Sequence, residues 1–80
     1  MRAITVPVVQ LDLTGEVSPI SIVRTKLALE PLPAGVVVRV VVDHPAAARN
    51  VPRSAAEWGQ DVLAVRAEPG GWVIVVRRRG

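Results

Sequence analysis

Between Thr5 and Leu13 apolar and polar side chains alternate, with Val9, Leu11 and Leu13 on one side and Gln10 and Asp12 on the other. This is the period-two pattern of a strand with one buried face. Pro7 has no N–H to donate, which confines the start of the strand to an edge or an unpaired end. Gly15 breaks the pattern. Ser18 followed by Pro19 then reads as a helix start, because a serine hydroxyl can cap a free N–H and proline suits the first turn. The predicted helix runs from Pro19 to about Glu30. Its inward face is assigned to Ile20, Val23 and Leu27, with Ile22 and Leu29 as a second stripe around the side. Pro31 and Pro33 end it, and Gly35 turns the chain.

Val36 to Val42 is nearly unbroken valine and predicts a central strand with a neighbour on each side. Its alternation puts Val36, Val38, Val40 and Val42 on one face and Val37, Arg39 and Val41 on the other, so the second face is itself partly apolar. Asp43 and Pro45 open a second helical segment, with an interruption near Asn50 and a restart at Pro52. Val51, Ala55 and Trp58 share one face of that segment, and Gly59 stops it. Two strands, about Asp61 to Glu68 and Trp72 to Arg78, flank the turn Pro69, Gly70, Gly71 and predict a hairpin. The order is βαβαββ. It predicts a single α/β (α+β) domain over residues 1–80, a two-layer sandwich of a four-stranded mixed sheet with two helices on one face. The uncovered sheet face is a candidate surface for a partner or for self-association.

Composition narrows the picture. Eighty residues allow one core. With no Phe or Tyr, that core must be built from branched aliphatic side chains. There is no cysteine, which excludes disulfides and thiol chemistry for the chain as it stands. No apolar stretch approaches the roughly 20 residues of a membrane span. The first residues lack the unbroken apolar core of a secretory signal, so a cytoplasmic protein is expected. Ten basic against seven acidic residues give a net charge of +3. Three of the ten are Arg77, Arg78 and Arg79, a basic chain end read as a solvated feature. Direct nucleic-acid binding through it is not expected, and would show as a strongly salt-dependent affinity.

Few groups could carry chemistry. His44 is the sole histidine, so no His-based metal site can form, and a nucleophilic serine would have to pair Ser18 with His44 and find a third group to orient it. Gly15 to Pro19 lacks the second glycine of a nucleophile elbow. The seven carboxylates are scattered with no close pair, and the glycines form no phosphate loop. Trp58 and Trp72 are read as core residues. The helix start at Ser18 remains: free N–H groups and a partial positive charge there favour an anion, and a cysteine in that place would become a reactive thiolate.

From Leu11 to Arg78 the chain resembles the small TusA/SirA-like sulfur-carrier proteins. In that family a strand ending in Leu-Asp leads through a glycine into Cys-Pro-x-Pro at the start of the first helix, with a basic residue further on. Here the stretch is Leu11, Asp12, Leu13, Thr14, Gly15, Glu16, Val17, Ser18, Pro19, Ile20, Ser21, followed by Lys26. Gly35, Asp43-His44-Pro45, Val51-Pro52, Gly59 and the Arg-rich last strand follow in the family's order. Two positions depart: Ser18 replaces the essential cysteine, and Ser21 replaces the second proline.

The resemblance implies a carrier whose cysteine accepts persulfide sulfur from one protein and passes it to another, in tRNA thiolation, cofactor sulfuration or sulfur oxidation. Serine forms no persulfide, so this form is expected to be inactive. An engineered Cys→Ser change and natural divergence both stay open. Site residues implied are Ser18 at the persulfide position, Gly15, Glu16, Pro19 and Ser21 shaping it, and Lys26 and Asp43 more remotely. The expected partners are sulfur-donor and sulfur-acceptor proteins, with no metal, no cofactor and no membrane, and the chain as a monomer or weak dimer. The alternative is a non-catalytic interaction or regulatory module using the same helix start or the open sheet face.

Overall fold

The valine-rich segments pair as their β-branched side chains favour. In the computed structural model, which describes residues 8–80, the elements are β1 (Val8–Asp12), α1 (Ile20–Leu29), β2 (Val37–Val42), α2 (Pro45–Glu57), β3 (Asp61–Glu68) and β4 (Gly71–Arg77). The expected strand start at Thr5 and the role given to Pro7 lie outside the described residues. The sheet order is β1-β2-β4-β3. β1 runs parallel to β2, with Leu11 beside Val40, while β2 and β4 are antiparallel, with Val38 opposite Val76 and Val40 opposite Ile74. β2 is therefore flanked on both sides, as its sequence predicts.

Val38, Val40, Val42, Ile74 and Val76 point to the helices and are fully buried. Leu29 of α1 and Ala47, Val51 and Ala55 of α2 close over them. The opposite face has no helix, and Val37, Arg39 and Val41 remain partly accessible there. Trp58 and Trp72 pack on the core edge, half-buried. The edge strand β3 shifts register between Val62 and Ala64, the kind of bulge that blunts pairing with another chain.

The helices depart from expectation in three ways. First, α1 buries Ser21, Thr25 and Leu29, whereas Ile20, Val23 and Leu27, assigned inward, are 50%, 52% and 62% exposed. The physical reason is size and spacing. Positions 21, 25 and 29 follow the i, i+4 ridge of a helix, which turns two small polar residues inward with Leu29, and the close backbone approaches of α1 are chiefly to α2. The Thr25 hydroxyl donates to the Ser21 carbonyl at 2.8 Å, so its burial leaves no unmet polar group. Of the expected second stripe, Leu29 is buried and Ile22 packs on the core.

Second, α2 is continuous through Asn50 and Pro52. Pro52 offers no N–H to the carbonyl four residues back, yet burial of Val51 and Ala55 on either side holds the helix together. Third, α1 begins at Ile20. Pro19 is its boundary residue, joined to Ser18 by a cis peptide bond, and no side chain caps the first turn. The cap expected from Ser18 does not form.

Gly71 shows how closely the hairpin meets β2. A Cβ at this position would lie 2.2 Å from the Val42 carbonyl oxygen, a backbone atom that cannot swing aside. Gly71→Ala is expected to destabilise the fold by about 1–3 kcal/mol, read as a lower urea midpoint with an unchanged slope. A midpoint equal to that of the unsubstituted protein would mean that the hairpin sits further from β2.

Candidate functional site

The segment between β1 and α1 is fixed at several points. Leu13 donates its N–H to the Val41 carbonyl at 2.8 Å and buries its side chain completely, anchoring the exit from the sheet. Asp12 Oδ1 accepts the Thr14 N–H at 2.9 Å and the Thr14 hydroxyl, a local turn built by the aspartate side chain. Gly15 has φ +85°, a conformation that side chains resist. Its N–H donates to Asp43 Oδ1 at 2.9 Å, tying this loop to the end of β2. Asp43, assigned to the start of the second helix, thus serves the first loop as well.

Beyond Gly15 the chain turns through Glu16 and Val17 into Ser18. Ser18 is half-buried, and its hydroxyl lies 3.5 Å from that of buried Ser21. The Ser21 N–H donates to the Val17 carbonyl and the Val23 N–H to the Pro19 carbonyl. Glu16 Oε1 accepts from Arg24 Nη1 at 2.7 Å. That pairing matters electrostatically, because it offsets the carboxylate two residues before Ser18, and the first turn of the helix itself holds no acid. The partial positive charge of the helix N-terminus is therefore not cancelled by an unpaired acidic neighbour.

Gly15, Glu16, Ser18, Pro19, Ser21 and Asp43 come together here. Lys26 does not. It stands eight positions along the chain from Ser18, roughly 12 Å at the helical rise. Its Nζ lies 5.7 Å from the centre of the Trp58 ring, beside a cleft of about 220 Å³ lined also by Leu29, Glu30, Gln60 and Arg78. A second cleft, of about 400 Å³, opens on the uncovered sheet face between Thr14, Arg39, Asp43 and the β3–β4 turn. Ser18 lines neither cleft; it is half-buried in the turn, with its hydroxyl toward Ser21. The His44 ring sits beside Asp43, at 3.9 Å, and the polar neighbour of the Ser18 hydroxyl is Ser21. The Glu16–Arg24 pair has no sequence signal, since the partners are eight residues apart across a turn. Among the described residues no group of three His, Asp or Glu side chains is placed to hold a metal.

The two-layer sandwich and the sequence that forms it are matched by known proteins. The family described as "Sulfurtransferase TusA" matches residues 9–78. The chain belongs to the TusA family. A protein of Archaeoglobus fulgidus, named as a candidate sulfur carrier, is 40% identical over 70 residues, covering 86% of this chain and 80% of its own. The sulfur carrier protein TusA of Pseudomonas syringae is 26% identical over 70 residues, covering 88% and 83%. The crystal structure of a SirA-like protein from Desulfitobacterium hafniense superposes with a TM-score of 0.75 at 32% identity, covering 90% of this chain and 97% of that one. The TusA-family fold is thus complete over the described residues, and no helix among them is long and apolar enough to cross a membrane.

The loop also sets a titration. The Thr14 hydroxyl, and secondarily its N–H, hold the Asp12 carboxyl below its ordinary value of 3.8, against a small opposing effect of desolvation. A lowered value means that the ionised form favours the folded chain above the ordinary carboxylate range, and that this contribution disappears as pH falls through the folded value. Thr14→Val is expected to move Asp12 back toward its ordinary value in a carboxyl ¹³C NMR titration. An unchanged midpoint would mean that the hydroxyl is not what holds it down.

Proposed function

We propose that this chain is a sulfur-carrier scaffold whose reactive position is residue 18, and that the serine there leaves its docking functions intact while removing the transfer step. The observation that carries the reading is the placement of Ser18, half-buried, just before an uncapped helix start, with the nearby Glu16 carboxylate occupied by Arg24. A cysteine in this setting would have a lowered thiol pKa and need no base of its own. Its thiolate would attack the outer sulfur of a protein-bound persulfide. The donor's S–S bond would break, and its electron pair would leave on the donor cysteine as a thiolate. The carrier would end as a persulfide one sulfur heavier, with no oxidant or reductant consumed.

The exposure of the turn fits an exchange between proteins, since the reacting atom must meet a partner's sulfur and has no enclosed cavity to shelter it. Sulfur-donor and sulfur-acceptor proteins in the cytoplasm are the partners this reading names. Thiolated tRNA, a sulfurated cofactor or an oxidised sulfur species are the destinations. Gly15, Glu16, Pro19 and Ser21 shape the turn, and Asp43 holds it through Gly15. The serine oxygen forms no persulfide and is not ionised near neutral pH. That observation favours a second reading, in which the chain as it stands is a non-catalytic interaction module.

Incubation of Ser18→Cys with a cysteine desulfurase or a rhodanese bearing persulfide sulfur is expected to add about 32 Da by intact mass, one sulfur on the activated thiol. The serine protein should gain nothing. Absence of the gain with both donor types would overturn the carrier reading.

A further inference from the structure

A hydroxyl taken out of water is costly unless another polar group meets it. Ser21 is wholly buried on the inner side of α1, where an alanine would carry no such cost. Its backbone is already satisfied: the Ser21 N–H donates to the Val17 carbonyl at 3.1 Å, and the Ser21 carbonyl accepts the Thr25 hydroxyl at 2.8 Å. The Ser21 hydroxyl itself is turned the other way, toward the entry turn. Among the described residues the polar atom it meets is Ser18 Oγ, 3.5 Å away.

That distance is informative. Bonds between hydroxyl oxygens close to about 2.5–3.0 Å, so two hydroxyls held at 3.5 Å are slack. Sulfur has a larger radius than oxygen and stands on a longer bond to Cβ. A sulfur atom at residue 18 in the same rotamer takes up the slack, and a gap that is loose for an oxygen acceptor becomes a contact. Ser21 is thus spaced from residue 18 for a larger atom than the one present. Proline, which the family's motif has at residue 21, offers no donor, so the contact belongs to this chain.

We propose that the Ser21 hydroxyl is the hydrogen-bond donor to the sulfur that carrier chemistry places on residue 18, a contact to the reacting atom supplied from the buried side of α1. This inference rests on the carrier reading above, because only a thiolate at residue 18 gives the hydroxyl an anion to stabilise. The hydroxyl keeps its proton throughout. Before transfer it favours the thiolate over the thiol. When the loaded carrier delivers, the acceptor's thiolate attacks the outer sulfur, the S–S bond breaks, and the electron pair leaves on the residue 18 sulfur, where the same donor meets it. Lowering the basicity of that atom makes it a better leaving group and a slightly weaker nucleophile.

The charged groups of the turn and of the elements against it are engaged elsewhere. Asp12 accepts from Thr14, Glu16 pairs with Arg24, Asp43 accepts the Gly15 N–H with His44 beside it, and Lys26 lies over Trp58. All of them stay in place when Ser21 loses its oxygen.

The test compares Ser18→Cys with Ser18→Cys/Ser21→Ala in the full chain. The pH dependence of exchange with an aromatic disulfide, followed by its coloured leaving thiolate, gives the thiol midpoint and the plateau rate above it. Loss of the donor is expected to raise the midpoint by about one pH unit or more, the size of a hydrogen bond to a charged group. The plateau rate should rise about threefold, because the more basic thiolate is the stronger nucleophile. Thr25→Val, which removes the neighbouring buried hydroxyl and keeps that of Ser21, should leave both values where they are. In Ser18→Cys itself the Ser21 Cβ resonance should follow the thiol midpoint, a reading that needs no change at residue 21.

An unchanged midpoint in a folded Ser18→Cys/Ser21→Ala chain, or an equal rise with Thr25→Val, overturns the assignment. A Ser21 resonance indifferent to the thiol titration also overturns it, and decides the question if the alanine variant does not fold. Persulfide loading separates this inference from the carrier reading. If Ser18→Cys loads and Ser21→Ala leaves its midpoint alone, the carrier stands and the donor assignment falls. If the midpoint moves but Ser18→Cys loads from neither a cysteine desulfurase nor a rhodanese, the contact stands and the carrier reading falls.

Discussion

The fold depends on how closely two helices can approach one face of a valine sheet. Val38, Val40, Val42, Ile74 and Val76 present short, branched side chains, and with no Phe or Tyr in the chain little else can fill a gap above them. Close packing at interior density leaves no room for voids. Near approach requires small residues at the contact, which α2 supplies at Ala47, Ala48 and Ala55, while Ser21 and Thr25 form the buried side of α1, whose close backbone approaches are chiefly to α2. The hairpin obeys the same constraint, where Gly71 meets the backbone at the end of β2 without a Cβ.

That constraint determines the orientation of α1, and through it the site. With Ser21 and Thr25 turned inward, the larger apolar residues of α1 are left on its exposed side. The entry turn is then pinned from three directions, by Leu13 in the core, by Asp12 folding back on Thr14, and by Asp43 holding the Gly15 N–H. Ser18 is left at the surface on a well-anchored loop. Under the carrier reading, a reactive position presented in this way lies in neither cleft, and recognition passes to the surface around it.

Much of this was legible in the residues. Alternation located the strands, and the Pro69–Gly71 turn located the hairpin, because period two and turn chemistry are local properties. The partly apolar open face also followed from the alternation of Val37, Arg39 and Val41. The orientation of α1 was not legible. Hydrophobicity alone sends Ile20, Val23 and Leu27 inward, whereas the close packing that selects Ser21 and Thr25 depends on the elements against which α1 lies, α2 above all. Pro52 misled for a related reason: its local cost is real, but the burial of Val51 and Ala55 that outweighs it comes from tertiary structure. The hydroxyl of Ser18 suggested a cap, and it instead lies near Ser21 Oγ at 3.5 Å. At the site itself, motif order brought Gly15, Ser18, Pro19 and Asp43 to attention together, but it also drew in Lys26, whose side chain serves the far end of the helix.

Serine at position 18 separates two properties that a cysteine there would join. The backbone contacts that anchor the entry turn run through Leu13, Thr14, Gly15, Val17 and Pro19, and the residue 18 side chain adds only the 3.5 Å approach of its hydroxyl to Ser21. Exchange of sulfur for oxygen at one atom therefore leaves the turn, the helix dipole and the exposed apolar residues of α1 in place. An apolar stripe that served only transfer would be a solubility burden once transfer was gone, since exposed clustered apolar groups favour unspecific association. Its presence beside a serine is the reason to look for a function in binding.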